Sequence, residues 1–262
     1  MALAAARAAR ILATCGVGEG DVIALIARNG FGYFVFNQAA RILGACITPV
    51  NWHLKPAEVA YILADCSPKV VICHADLATD AMRAVLGDRH VFIEAVAPEI
   101  AAAYGLDETR TGLRPGDVAL SECCRTVEPW GSVNPNPPAA LFYTSGTTGH
   151  PKAVKRHALG PEVQAAVTER TVSAFGLLDA PLTATVMTGP LYHSAPFAYA
   201  TNALRLGASV ILQPRFEPEE LLALIERHRV SHLHMVPTMF TRLLALPAPV
   251  RARFDLSSLV SV

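Results

Sequence analysis

Residues Leu141–Val154 read LFYTSGTTGHPKAV. Apolar and aromatic positions lead into Thr144-Ser145-Gly146-Thr147-Thr148-Gly149, and Pro151-Lys152 follow at once. The pattern is that of a strand running into a hydroxyl- and glycine-rich loop that ends in a cation. Glycines let the backbone approach a ligand closely. Successive N–H groups in such a loop form an anion-binding concavity, and the hydroxyls and the ammonium add donors. The ligand expected from this chemistry is a polyphosphate. A Walker A loop requires G-x-x-x-x-G-K-[ST] opening a helix, whereas here Gly146, Gly149 and Lys152 follow at every third position and Pro151 precedes the lysine. No G-x-G-x-x-G dinucleotide fingerprint occurs in the chain.

The 262 residues suffice for one large domain or two smaller ones. With 22 basic and 22 acidic side chains there is no basic excess for a nucleic-acid surface. Charges are scattered, so no electrostatic membrane anchor stands out. Mean hydropathy is high at +0.34, yet no apolar run reaches the roughly 18 residues of a membrane span. Buried parallel strands, which lack polar alternation, explain the apolar excess better. The six cysteines form no C-x-x-C pair and no zinc-spaced cluster with histidine, which fits idle thiols in a reducing compartment. The Ala- and Arg-rich start reads as an amphipathic helix running to Gly16, and a cytoplasmic location is expected.

From Val22 onward, short β-rich runs alternate with helical stretches. Strands are expected at 22–27, 47–50, 69–73 and 90–94, with helices at 31–44, 55–65 and 77–86. A second block follows Ala139, with strands at 140–143, 183–188, 209–213 and 231–236. Its helices are expected near 161–175, 197–206 and 218–228, and from Pro237. Strands separated by helical stretches of this length imply βαβ units. The fold class is therefore α/β, with two βα-layered subdomains built on mainly parallel sheets. Residues 1–94 form the first subdomain, 95–138 a variable connector of little regular structure, and 139–262 the second, carrying the loop.

Four further constellations carry weaker signals. His193 lies in GPLYHSAPF, just after an expected strand, where α/β sheets place ligands; alone it reads as a packing histidine. His232 and His234 lie two apart on an expected strand and so share a face, but no third metal ligand accompanies them. Glu219 and Glu220 sit in the first turn of a helix, where its dipole favours them. Ser145 lacks the G-x-S-x-G context of a hydrolase nucleophile.

Taken whole, Tyr143–Val154 resembles the phosphate-binding motif of the adenylate-forming superfamily, [YF]-T-S-G-[ST]-T-G-x-P-K-G-V. Ala153 stands where glycine is usual. Gly18–Leu77 is similar to the N-terminal portion of an acyl-CoA synthetase, and GPLYHSAPF and Val236-Pro237-Thr238 resemble later core motifs. The resemblance implies ATP-dependent conversion of a hydrophobic carboxylic acid, a fatty acid first, to acyl-AMP and then acyl-CoA. ATP, Mg²⁺ and coenzyme A are the implied cofactors and co-substrates. Thr144, Ser145, Gly146, Thr147, Thr148, Gly149 and Lys152 would hold the phosphates, with Thr144 offering its hydroxyl to Mg²⁺. Tyr192, His193, Ser194 and Phe197, together with Val236, Pro237 and Thr238, would border the acyl group.

Two alternatives stay open: an adenylation domain or acyl-AMP ligase serving a carrier protein, and a non-catalytic ATP-binding module. A homodimer and peripheral membrane contact also stay open; a transmembrane segment and a nucleic-acid partner are not expected. The family's catalytic lysine, hinge and ribose-binding aspartate would lie beyond Val262. On that ground the chain is expected to be an N-terminal part of a larger enzyme, inactive alone. Acyl-CoA production by the purified 262-residue chain would overturn that expectation.

Overall fold

The computed structural model describes residues 1–135, 137–144, 151–153 and 160–262. It divides into two compact units, Met1–Gly160 and Pro161–Val262.

The first unit opens with α1 (Ala2–Thr14) and alternates β1 (Val22–Ile26), α2 (Phe31–Leu43), β2 (Cys46–Pro49), α3 (Pro56–Cys66), β3 (Val70–His74), α4 (Asp80–Leu86) and β4 (His90–Glu94). These four strands form one parallel sheet in the order β2-β1-β3-β4. Every residue of β1 and β3 is buried, as expected for strands covered on both faces. The helices stop and start for local reasons. Gly44 ends α2 in the left-handed region at φ +73°, where a Cβ would be penalised. Pro56 occupies the first position of α3, and the Met82 N–H donates to Thr79 Oγ1 at 3.3 Å to cap α4. The expected helix at 77–86 is correspondingly shorter, because Ala75–Leu77 forms a separate 3₁₀ turn before this cap.

Three short helices, α5 (Pro98–Tyr104), α6 (Glu108–Thr111) and α7 (Leu120–Cys123), occupy the stretch read from sequence as having little regular structure. Their starts are set locally. Pro98 sits at the first position of α5, and Asp107 accepts from the Arg110 N–H at 3.2 Å to cap α6. The chain then returns along the edge of the sheet, where the Leu141 N–H donates to the Ile47 carbonyl at 2.8 Å. The expected strand at 140–143 is therefore not a member of the parallel sheet. Instead β5 (Tyr143–Thr144) pairs antiparallel with β6 (Lys152–Ala153).

At the carboxyl edge of the parallel sheet, Arg28 after β1 meets Asp76 after β3. A guanidinium nitrogen lies 2.7 Å from Oδ2, and both side chains are almost wholly buried. The guanidinium carbon lies 4.3 Å from the centre of the Trp52 ring and 3.8 Å from that of Tyr104. The Arg28 N–H donates to His74 Nδ1 at 3.3 Å.

The second unit contains α8 (Pro161–Ala174), β7 (Ala184–Met187), α9 (Ser194–Arg205), β8 (Ser209–Leu212), α10 (Pro218–His228), β9 (His232–Leu233), α11 (Pro237–Leu244) and α12 (Ala248–Arg251). Its three strands are parallel in the order β8-β7-β9. Val186, Leu221, Leu222, Ile225, Val230 and Met239 form the centre of its core. The expected strand at 231–236 is confined to two ladder residues. Pro237 supplies no N–H and starts α11, and the chain leaves the sheet ahead of it. Ser261 forms a further parallel bridge to His232. Among the described residues, no helix is long and apolar enough to cross a membrane.

Candidate functional site

Two places carry the side chains singled out from the sequence, one in each unit. In the first unit, the β5–β6 ladder sets Thr144 directly opposite Lys152 and Tyr143 opposite Ala153. Thr144 and Lys152 are both exposed, and Thr144 Oγ1 lies 3.5 Å from the Lys152 carbonyl oxygen. Thr144 and Lys152 thus form the ladder pair nearest the intervening loop. Ser145, Gly146, Thr147, Thr148 and Gly149, which the sequence assigns to the intervening loop, lie outside the described residues.

The root of this hairpin is fastened from one side. The Cys46 thiol donates to the Ala139 carbonyl at 3.0 Å, and the Tyr143 hydroxyl donates to Asp65 Oδ2 at the end of α3. The ring of Tyr143 packs against the core built on Val59, Ile62 and Leu63. Burial and the neighbouring carboxylate both push the phenol well above its ordinary pKa, so it stays a donor.

In the second unit the chain leaves the carboxyl end of β7 through Thr188 and Gly189 and enters α9 at Ser194. The His193 N–H donates to the Pro190 carbonyl at 3.1 Å, and the Phe197 N–H to the His193 carbonyl at 3.2 Å. Tyr192 and Phe197 are buried, while His193 and Ser194 face solvent. The Tyr192 and His193 rings lie 4.5 Å apart, and the protein around His193 lowers its pKa by desolvation. A Cβ on Gly189 would come within 3.0 Å of Pro196, so glycine lets this loop lie against the first turn of α9.

Val236, Pro237 and Thr238 follow the carboxyl end of β9 and are exposed, whereas Met239 beside them is buried. The Thr188 hydroxyl donates to Met239 Sδ at 3.4 Å, which ties the two segments together. β7 connects first to β8 on one side, and the chain then crosses to β9 on the other. The carboxyl ends of β7 and β9 are therefore the point where strand order reverses, the place where open α/β sheets bind ligands.

The two histidines of β9 and its extension do not act as a pair. His232 is buried and its Nδ1 is 2.9 Å from Ser231 Oγ. His234 lies outside the ladder, its ring 5.2 Å from that of Tyr199 and 5.6 Å from that of Phe175. Burial lowers the pKa of both histidines. Among the described residues, no group of three or more His, Cys, Asp or Glu side chains is placed to hold a metal ion.

The family model described as AMP-binding enzyme matches residues 1–262, the whole chain. The chain belongs to the AMP-binding enzyme family. A 4-coumarate–CoA ligase of Oryza sativa subsp. japonica is 30% identical over 97% of this chain and 44% of its own length. A long-chain-fatty-acid–CoA ligase of Mycobacterium tuberculosis is 30% identical over 92% of this chain and 44% of that protein. The inhibitor-bound N-terminal domain of FACL13 from the same organism shares the fold at a TM-score of 0.73 and 25% identity, covering 98% of this chain and 59% of that one. The chain thus spans about half the length of the curated relatives it matches. Its α/β architecture of parallel sheets is that of the N-terminal domain of acyl-CoA synthetase-like enzymes. The Arg28–Asp76 cluster escaped the sequence reading because its members are 48 residues apart with no local pattern.

Proposed function

We propose that this chain supplies the polyphosphate-binding hairpin and the acyl-binding edge of an enzyme that activates a hydrophobic carboxylic acid with ATP and passes it to coenzyme A. The observation that carries the reading is Thr144 opposite Lys152 at the mouth of the TSGTTG hairpin, in a chain matched end to end by the AMP-binding family. In the first step the acid's carboxylate oxygen attacks the α-phosphorus of ATP, forming acyl-AMP and expelling pyrophosphate. In the second a thiolate sulfur attacks the acyl carbonyl and AMP leaves. A carboxylate is already ionised near neutrality, so the first step needs positioning and charge neutralisation more than a base. Lys152 and the loop donors, including Ser145, Gly146, Thr147, Thr148 and Gly149, would neutralise the β- and γ-phosphates.

Magnesium fits this site in kind. Mg²⁺ takes few protein ligands besides phosphate oxygens and water, and Thr144 presents an exposed hydroxyl where those phosphates would lie. When bound, the ion would add positive charge against the triphosphate.

The acyl group is assigned to the β7/β9 edge, bordered by Tyr192, His193, Ser194, Phe197, Val236, Pro237 and Thr238. The apolar character of Phe197 and Val236 supports a fatty or aromatic acid, and the names of the relatives include one of each. A cytoplasmic enzyme fits a chain with free thiols in its reduced state. The test is pyrophosphate exchange and release by the full-length protein over acids of graded chain length and aromatic acids, with and without coenzyme A. Exchange with an apolar acid, and thioester formation only when coenzyme A is added, is the expected result. Absence of exchange with every acid would overturn the proposal.

A further inference from the structure

We infer that Asp65 is a positioning residue for the phosphate hairpin, acting through the hydroxyl of Tyr143; this rests on the polyphosphate reading of that hairpin. Asp65 occupies the last turn of α3. A carboxylate there opposes the negative end of the helix dipole, and no basic residue in that turn offsets it. What it gains is the Tyr143 hydroxyl, which donates to Oδ2.

Tyr143 is the residue immediately before Thr144, and its backbone is in register with Ala153 across the ladder. The ladder itself is only two residues long on each strand. Such a short ladder holds its own two arms together but does little to orient them on the rest of the fold. Orientation comes from the incoming arm, through Cys46–Ala139, Ile47–Leu141 and lastly Asp65–Tyr143. The Asp65 contact is the nearest of these to Thr144, one residue away. Losing it leaves the ring packed against the core but removes the directional contact that fixes the arm next to Thr144. Thr144 and Lys152 then lose a fixed direction toward the triphosphate.

The test compares Tyr143→Phe, Asp65→Ala, Asp65→Asn and the Tyr143→Phe/Asp65→Ala double variant in the chain. The probes are ATP and inorganic triphosphate, titrated by calorimetry, with thermal melting as a control. Removing one net hydrogen bond predicts about a threefold to tenfold weaker Kd for both probes in Tyr143→Phe and Asp65→Ala. Tyr143→Phe also removes the hydrogen bond between this hydroxyl and Cys66, so its loss is expected to equal or exceed that of Asp65→Ala, and the double variant is expected to be no worse than Tyr143→Phe. Asp65→Asn keeps an acceptor oxygen and is expected to stay near the parent value. In the full-length protein the same substitutions are expected to raise the ATP KM and leave the acid KM unchanged.

Additive losses, unchanged Kd values, or a loss that Asp65→Asn fails to rescue would overturn the inference. A parent that binds ATP but shows no pyrophosphate exchange would sink the proposed activity alone, with the Kd comparison still deciding the role of Asp65. A parent that binds neither probe would sink both.

Discussion

Arg28 and Asp76 form an ion pair of 2.7 Å from which solvent is almost excluded, bridging the carboxyl ends of β1 and β3. Nε and one terminal nitrogen of the guanidinium converge on the same oxygen, Oδ2, and two aromatic rings flank its carbon. Removing one partner of such a buried pair strands the other charge. Asp76→Ala or Arg28→Leu should therefore cost about 3–5 kcal/mol. The Arg28→Leu/Asp76→Ala double variant, which strands neither charge, should lose clearly less than the sum of the single losses. Urea unfolding of the four proteins measures this, and full additivity would contradict it.

His74 neighbours that pair, and burial pushes its pKa down to about 4. Asp76 works in the opposite direction, while Arg28 reinforces the drop. An unfolded histidine titrates near 6.5, so its folded-state pKa is depressed. The stability linked to His74 is then complete above about pH 6.5 and is lost as pH falls from there toward about 4, by roughly 3 kcal/mol in total. His74→Gln should flatten this part of the stability curve; an unchanged slope between those two pH values would refute it.

Lys152 is exposed and lies in a two-residue ladder, so Lys152→Ala should leave the melting temperature within about 1–2 °C of the parent, as for surface substitutions. ATP affinity should fall by about 10-fold or more through the lost charge-assisted contact. It should also become less sensitive to salt. Calorimetric titration at two ionic strengths distinguishes this from a folding defect.

Gly44 ends α2 at φ +73°, and a Cβ there would lie 2.3 Å from Asn134 Nδ2. Gly44→Ala should destabilise by about 1–2 kcal/mol through left-handed backbone strain, because the Asn134 amide is the end of a flexible side chain that can swing away from the new methyl group. The urea midpoint reports this, and an unchanged midpoint would refute it.

Much of the first sheet was legible because strands buried on both faces are written as unbroken apolar runs. VIALI and VVICH need no partner to be recognised. Helix ends were legible where Gly44, Pro56, Pro218 or Pro237 marks them. The pairing of Tyr143–Thr144 was not, because four apolar residues before a loop look alike in a parallel sheet and in a hairpin. The ladder partner, Lys152–Ala153, has no strand signature of its own. His232–Leu233 was overextended in the sequence reading for a related reason: Met235 and Val236 keep an extended, apolar pattern after the ladder has ended. In the second unit, GPLYHSAPF and VPT were each visible, but their meeting at the β7/β9 edge depends on strand order. Strand order is set by non-local packing and leaves no local mark.

The sheet of the first unit is built from strands that neighbour one another through single βα connections or across one strand. The arm that carries the hairpin is held differently. Its contacts reach back across 119 residues at Arg10–Pro129, 93 at Cys46–Ala139 and 78 at Tyr143–Asp65. Closing loops of that length costs entropy before any contact repays it. The sheet is therefore expected to form first in refolding and the arm to seat afterwards. If the proposed nucleotide site is real, its recovery should lag that of secondary structure, and simultaneous recovery of the two would refute this order.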